Sequence, residues 1–159
     1  EKGRLLAIFY LSAYGSTAAM AEAIAHGART RRAMRVVLHD LADEGCGASA
    51  VDLIEQADGV LIGSPTINGD AVKPVWELLA SLGVIALRGK LAGAFGSYGW
   101  TGEAVRMIEE RLRALKFNVA IDGLRARLVP SAEELAACRQ FGSDFSARVL
   151  GSIRASIAT

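Results

Sequence analysis

The chain is poor in the residues that build metal clusters and disulfide frameworks. Its 159 residues hold two cysteines, Cys46 and Cys138, and two histidines, His26 and His39. Neither pair has ligand spacing and no C-x-x-C occurs, so no metal site is expected, and two idle thiols in a reducing cytoplasm are expected instead of a disulfide. No apolar run approaches the roughly 18 residues of a membrane span. The opening E-K-G-R-L-L lacks the small-residue cleavage site of a signal peptide. Charge of one sign is scarce as well: 18 basic residues against 17 acidic ones leave a net +1, which gives no general argument for nucleic acid. The one basic cluster, A-R-T-R-R-A-M-R at 28–35, reads first as a solvated face and second as a partner-docking patch.

What is present suits a globular chain. Hydrophobic residues make up 52% and charged residues 22%, and the length fits one domain over 1–159 with a sizeable core. The chain does not open on Met, which suggests a domain excised from a larger protein or a trimmed tag. Leu5–Leu11, 60–62, 91–95 and 119–121 are apolar nearly throughout, and Val36 and Val37 add a β-branched pair within 35–38. Such short unbroken runs suit strands buried on both faces, as in a parallel sheet covered by helices.

Helical periodicity fills the gaps. Met20, Ala21, Ile24 and Ala28 repeat after Thr17; Val72, Val75, Trp76, Leu79 and Leu82 repeat after Asp70, which reads as a cap. Ala104, Ile108, Leu112 and Leu115 follow, with Arg106/Glu110 and Glu109/Arg113 dressing the outer face. Ser131 and Glu134 form a capping box for a last helix through Leu135, Cys138, Phe141, Phe145 and Val149, and Ser49 with Asp52 forms a weaker one. Trp76, on an apolar stripe, reads as core. Strand alternating with helix five times calls for right-handed βαβ units and an α/β, doubly wound, five-stranded parallel sheet. In such sheets ligands bind beyond the carboxyl ends of the strands, where the strand order reverses. The loops leaving strands one, three and four are S-A-Y-G-S-T, S-P-T-I-N-G-D and S-Y-G-W-T-G, and they are also where hydroxyls and glycines concentrate.

The first loop has two readings. It is a serine-rich turn with a helix cap, or an anion cradle in which the amides of Gly15, Ser16 and Thr17 and the hydroxyls of Ser12, Ser16 and Thr17 hold a phosphate without a cation. It is neither a P-loop nor a G-x-G-x-x-G turn. In the second loop, Pro65 fixes the chain, Gly69 permits an unusual turn, and the amides and carbonyls of Thr66 to Gly69 suit the edge of a flat heterocycle; alone it is a loop with a cap. In the third, Tyr98 and Trp100 offer ring faces, while Gly99 and Gly102 let the backbone approach a ligand. Phosphate donors, a backbone-rich edge and an aromatic cover together describe a site for a phosphorylated flat ring, which flavin mononucleotide (FMN) fits.

With these motifs assembled, the chain resembles the flavodoxin family, and more closely the flavodoxin-like module of flavodiiron proteins, the A-type flavoproteins that reduce dioxygen or nitric oxide. The resemblance runs from Leu5 to about Leu150 and rests on Y-L-S-A-Y-G-S-T-A-A-M-A-E-A-I-A-H-G, G-S-P-T-I-N with Pro74, G-S-Y-G-W-T-G-E-A-V, and the tail P-S-A-E-E-L-A-A-C-R-Q-F-G. It implies strand order 2-1-3-4-5 and non-covalent FMN. It places Ser12, Tyr14, Gly15, Ser16 and Thr17 at the phosphate, Pro65, Thr66, Ile67 and Asn68 at the inner ring edge, and Ser97, Tyr98, Gly99, Trp100 and Gly102 at the outer face. Ile67 stands where free flavodoxins usually carry an aromatic, which favours the flavodiiron lineage, with the diflavin flavoproteins as a subgroup. A net charge of +1, where free flavodoxins are strongly acidic, fits a module that works by attachment.

The function so implied is electron transfer, with no side chain acting as acid, base or nucleophile. The partners would be a diiron domain of the parent protein, a reductase domain or protein as donor, and a second copy in a homodimer. The diiron ligand set cannot be built from two scattered histidines. Two alternatives stand beside this one: a free-standing quinone or flavin reductase, and a receiver-like interaction module. The latter lacks its acidic pair, since Ser12 and Ala13 occupy that place.

Overall fold

The computed structural model describes residues 3–44, 47–83 and 87–158, with main chain alone at 44 and 152–158. Cys46 lies outside the described residues. In chain order the elements are β1 (Arg4–Tyr10), α1 (Ser16–Ala28), β2 (Met34–Asp40), α2 (Leu41–Glu44), α3 (Ala48–Gln56), β3 (Gly59–Gly63), α4 (Lys73–Ala80), β4 (Leu91–Tyr98), α5 (Glu103–Ala114), β5 (Leu124–Arg127) and α6 (Ala132–Ala158). The five strands form one sheet in the order β2-β1-β3-β4-β5, as expected. All four pairings are parallel, with Ile8 opposite Leu38 and Leu61, Leu61 opposite Gly93, and Phe95 opposite Leu124.

The three middle strands read as apolar because each feeds two cores. Successive side chains of a strand point to opposite faces. Leu6, Ile8, Leu61 and Phe95 therefore join α1 and α6 through Met20, Ile24, Phe141 and Phe145 on one face. Ala7, Phe9, Val60 and Ile62 join α3, α4 and α5 through Ile54, Leu79 and Ile108 on the other. Each fully buried Leu, Ile or Phe contributes about 1.5–3 kcal/mol, so the two layers together hold the sheet in place. Helix α1 leaves β1 on one face while α4 follows β3 on the opposite one. A crevice therefore opens between the ends of those two neighbouring strands.

Several local expectations hold and several do not. The Ser131–Glu134 box forms in full: the Glu134 N–H donates to Ser131 Oγ and the Ser131 N–H to Glu134 Oε1, each at 3.1 Å. Arg106 pairs with Glu110 at 3.9 Å. Glu109, however, accepts the Gly123 N–H at 3.0 Å instead of pairing with Arg113. Residues 119–121 are not a strand; apart from a single bridge from Asn118 to Leu91, the chain reaches β4 only at Leu124–Arg127. The true fifth strand is an edge that exposes Arg125 and Arg127, so it carries no apolar run. Helix α3 starts after Gly47 without a side-chain cap, which removes the Ser49/Asp52 box. Val72, not Asp70, caps α4, with Pro74 in its first turn where a missing N–H costs nothing.

Candidate functional site

The exits of β1, β3 and β4 stand side by side because those strands are neighbours and parallel. The loop after β1 turns at Gly15, whose φ of 89° is left-handed and which serves as N-cap of α1. Ser12 Oγ accepts the N–H groups of Gly15 at 3.0 Å and Ala18 at 3.2 Å, so it does the capping from three residues upstream. Ala18 is the third residue of α1, and no acceptor is present among the described residues for the amides of the first two, Ser16 and Thr17. Both are buried at the helix end, where an anion gains about 0.3–1 kcal/mol from the dipole. Tyr14 projects into solvent, 81% exposed. The loop is therefore a capped turn, and the capping leaves the Ser16 and Thr17 amides without an acceptor.

The loop after β3 is built on Ser64. Its hydroxyl donates to the Pro65 carbonyl at 2.8 Å and accepts the Val72 N–H at 3.1 Å. Ile67 and Asp70 then exchange main-chain bonds of 2.9 and 3.1 Å across Asn68 and Gly69, whose φ angles are both positive. This is the Asn-Gly tip of a tight hairpin turn, and it lifts Ile67, Asn68 and Gly69 to the surface. Asp70 accepts the Trp76 indole N–H at 3.0 Å, which anchors the loop to α4. Trp76 is therefore a half-buried strut, not a fully buried core residue.

The loop after β4 leaves Tyr98 half-buried, Gly99 exposed and Trp100 93% exposed. Trp100 does not pack back on the domain. The Ser97 carbonyl accepts the Thr66 N–H at 2.9 Å, and Thr66 Oγ1 accepts the Ala104 N–H at 3.1 Å. The second and third loops are thus stitched together at the start of α5. A Cβ on Gly96 would stand 2.2 Å from the Ser64 carbonyl oxygen, so the loops can approach this closely only over a glycine.

Four features escaped sequence reasoning. Ser64 is the structural hinge of its loop. One oxygen of Glu103, at the first position of α5, is buried without a hydrogen-bond partner. Arg125 lies against Gly102 and Tyr98, and Leu128 and Val129 are exposed beside Gly99. Ser64 and Glu103 stand inside the quoted motifs, but the bonding of one and the burial of the other are set by tertiary folding, and Arg125, Leu128 and Val129 carry no motif signal. Elsewhere, burial pushes the Cys138 thiol up to about 11, which leaves it inert at neutral pH. His39 is buried and tilts against Phe9 with ring centres 5.0 Å apart.

Residues 8–142 match the flavodoxin family. The chain belongs to that family. This flavodoxin-family domain is 52% identical over 148 residues to the Type A flavoprotein fprA of Rhodobacter capsulatus, an alignment covering 93% of the chain and 34% of that protein. Its fold superposes on a flavodiiron core from Synechocystis sp. with a TM-score of 0.82 at 30% identity, covering 95% of the chain and 37% of the other. A flavodoxin from the domain Archaea gives 0.79 at 31% identity, with 91% and 98% covered. The chain spans about a third of the flavoprotein and the flavodiiron core, whereas it accounts for nearly all of the archaeal flavodoxin. Family membership indicates FMN as the cofactor. The residues present fit that group, since two acceptor-free amides at a helix end suit a phosphate and an exposed indole suits a flat ring.

Proposed function

We propose that this chain is one domain of a larger flavodiiron-type protein, and that it binds FMN and relays electrons to a diiron centre in the rest of that protein. Bound FMN supplies one- or two-electron chemistry, and the residues of this chain hold it, orient it and exclude water. In this reading Ser12, Tyr14, Gly15, Ser16 and Thr17 form the phosphate end. Pro65, Thr66, Ile67 and Asn68 line the inner ring edge. Tyr98, Gly99, Trp100 and Gly102, reached through Ser97, form the outer cover. No side chain here acts as acid, base or nucleophile.

The observation that carries the proposal is the pair of acceptor-free amides at Ser16 and Thr17 after β1 together with an exposed Trp100 after β4, on the same sheet with only β3 between those strands. The 52% identity to a Type A flavoprotein supports the larger context. A reductase domain or protein as donor, a homodimeric assembly and a cytoplasmic setting belong to the same proposal. No helix among the described residues is long and apolar enough to cross a membrane.

A visible spectrum of the purified chain with added FMN tests the reading. A yellow protein with quenched flavin fluorescence, binding FMN more tightly than riboflavin, supports it. A chain that stays colourless, or that holds both flavins equally, refutes the phosphate assignment. Steady NAD(P)H consumption without a partner would instead indicate a free-standing reductase.

A further inference from the structure

Ser97 leaves the sheet at the third loop, yet its side chain does not belong to the ring end. It shares a strand face with Phe95, which packs in the core beneath α1 and α6. Its hydroxyl lies 2.8 Å from Thr17 Oγ1, across 80 residues of sequence, and both side chains are 1% exposed. A pair of buried hydroxyls has two hydrogens and shares one between its oxygens. When Ser97 donates to Thr17, the Thr17 hydrogen is released for an acceptor outside the pair. That hydrogen then starts from the end of α1, where the Ser16 and Thr17 amides also lack an acceptor. The Ser97 main chain meanwhile holds Thr66 at 2.9 Å, so one residue joins the first loop to the second.

We propose that Ser97 is a positioning residue for the phosphate end of the site, acting through the Thr17 hydroxyl, and that its own hydroxyl makes no contact with the flavin ring. This rests on the flavin reading above and reassigns Ser97 from the outer ring face to the opposite end of the ligand. Without Ser97, the Thr17 hydroxyl loses its buried partner and its orientation is no longer fixed.

Titrating the purified chain into FMN and, separately, into riboflavin, with flavin fluorescence as readout, separates the possibilities. Ser97→Ala is expected to weaken FMN about 10-fold, the scale of one hydrogen bond to a charged acceptor, and to change riboflavin by less than about 2-fold. Thr17→Val should reproduce that pattern, and adding Ser97→Ala to it should cost nothing more. Thr17→Ser keeps the hydroxyl and should restore FMN selectivity. Thermal unfolding of each variant shows that it is folded. Equal losses for FMN and riboflavin in Ser97→Ala, or losses that multiply in the double variant, would overturn the proposal. Failure of the unmutated chain to bind either flavin would strike the flavin reading itself.

Discussion

The first and third strand exits are built in opposite ways. The loop after β1 is held before any ligand arrives: Ser12 ties two amides, Gly15 sets the turn, and Thr17 is locked to Ser97. The loop after β4 instead leaves Trp100 almost wholly in solvent. An anion site gains from fixed dipoles, because donors that need not reorganise lose no free energy on binding. A flat apolar ring gains from surface removed from water, so its cover can stay open until the ring is there. On the proposed flavin reading, rigidity sits at the phosphate end and spare apolar surface at the ring end.

This contrast breaks most severely where the loops meet. Gly96→Ala places a methyl against the Ser64 carbonyl and should cost about 3 kcal/mol of stability, with flavin binding lost at both ends. Chemical denaturation checks the first part and fluorescence titration the second; wild-type stability would show that the loops separate freely. Trp100→Ala should leave the fold within about 0.5 kcal/mol, since nothing buries the indole. It should weaken FMN and riboflavin alike, by about 10- to 50-fold, through lost ring contact. A loss confined to FMN would place Trp100 at the wrong end. Ser12→Ala removes the acceptor of two amides and should lower stability by about 1 kcal/mol, while weakening FMN more than riboflavin. Equal effects on the two flavins would mean that the first loop is only a capped turn.

The smallest effect lies away from the site and serves as a control. Main-chain N–H groups of Ser131 and Arg127 hold the Glu134 carboxyl below its usual range. A depressed carboxylate adds stability above its unfolded pKa and loses it as pH falls through the folded one. Glu134→Gln should therefore cost a few tenths of a kcal/mol at neutral pH, as suits an exposed group, and the difference should vanish in acid with no change in FMN affinity. Denaturation midpoints at neutral and acid pH check the sign.

Much of the sheet was legible in advance. Strands that feed two cores must be apolar on both faces, and β1, β3 and β4 announce themselves for that reason. β5 did not: as an edge strand it alternates Arg125 and Arg127 with Ala126, and the apolar stretch at 119–121 was a decoy on the way to it. The three loops were legible as chemistry, by their hydroxyls, glycines and two aromatics. Their internal wiring was not. Asp70 looked like a cap and became the acceptor for Trp76; Ser97 looked like a ring residue and turned toward Thr17.

Periodicity and loop composition settled the α/β class and the three exits that carry the polar groups, and the family resemblance supplied the strand order. These are local properties, written in the spacing of apolar residues along a few turns of helix or a few steps of strand. Only the tertiary structure decided which hydroxyls meet and which amides stay free. Those outcomes depend on sheet register and helix placement between segments as far apart as residues 17 and 97, and no local pattern encodes such a meeting.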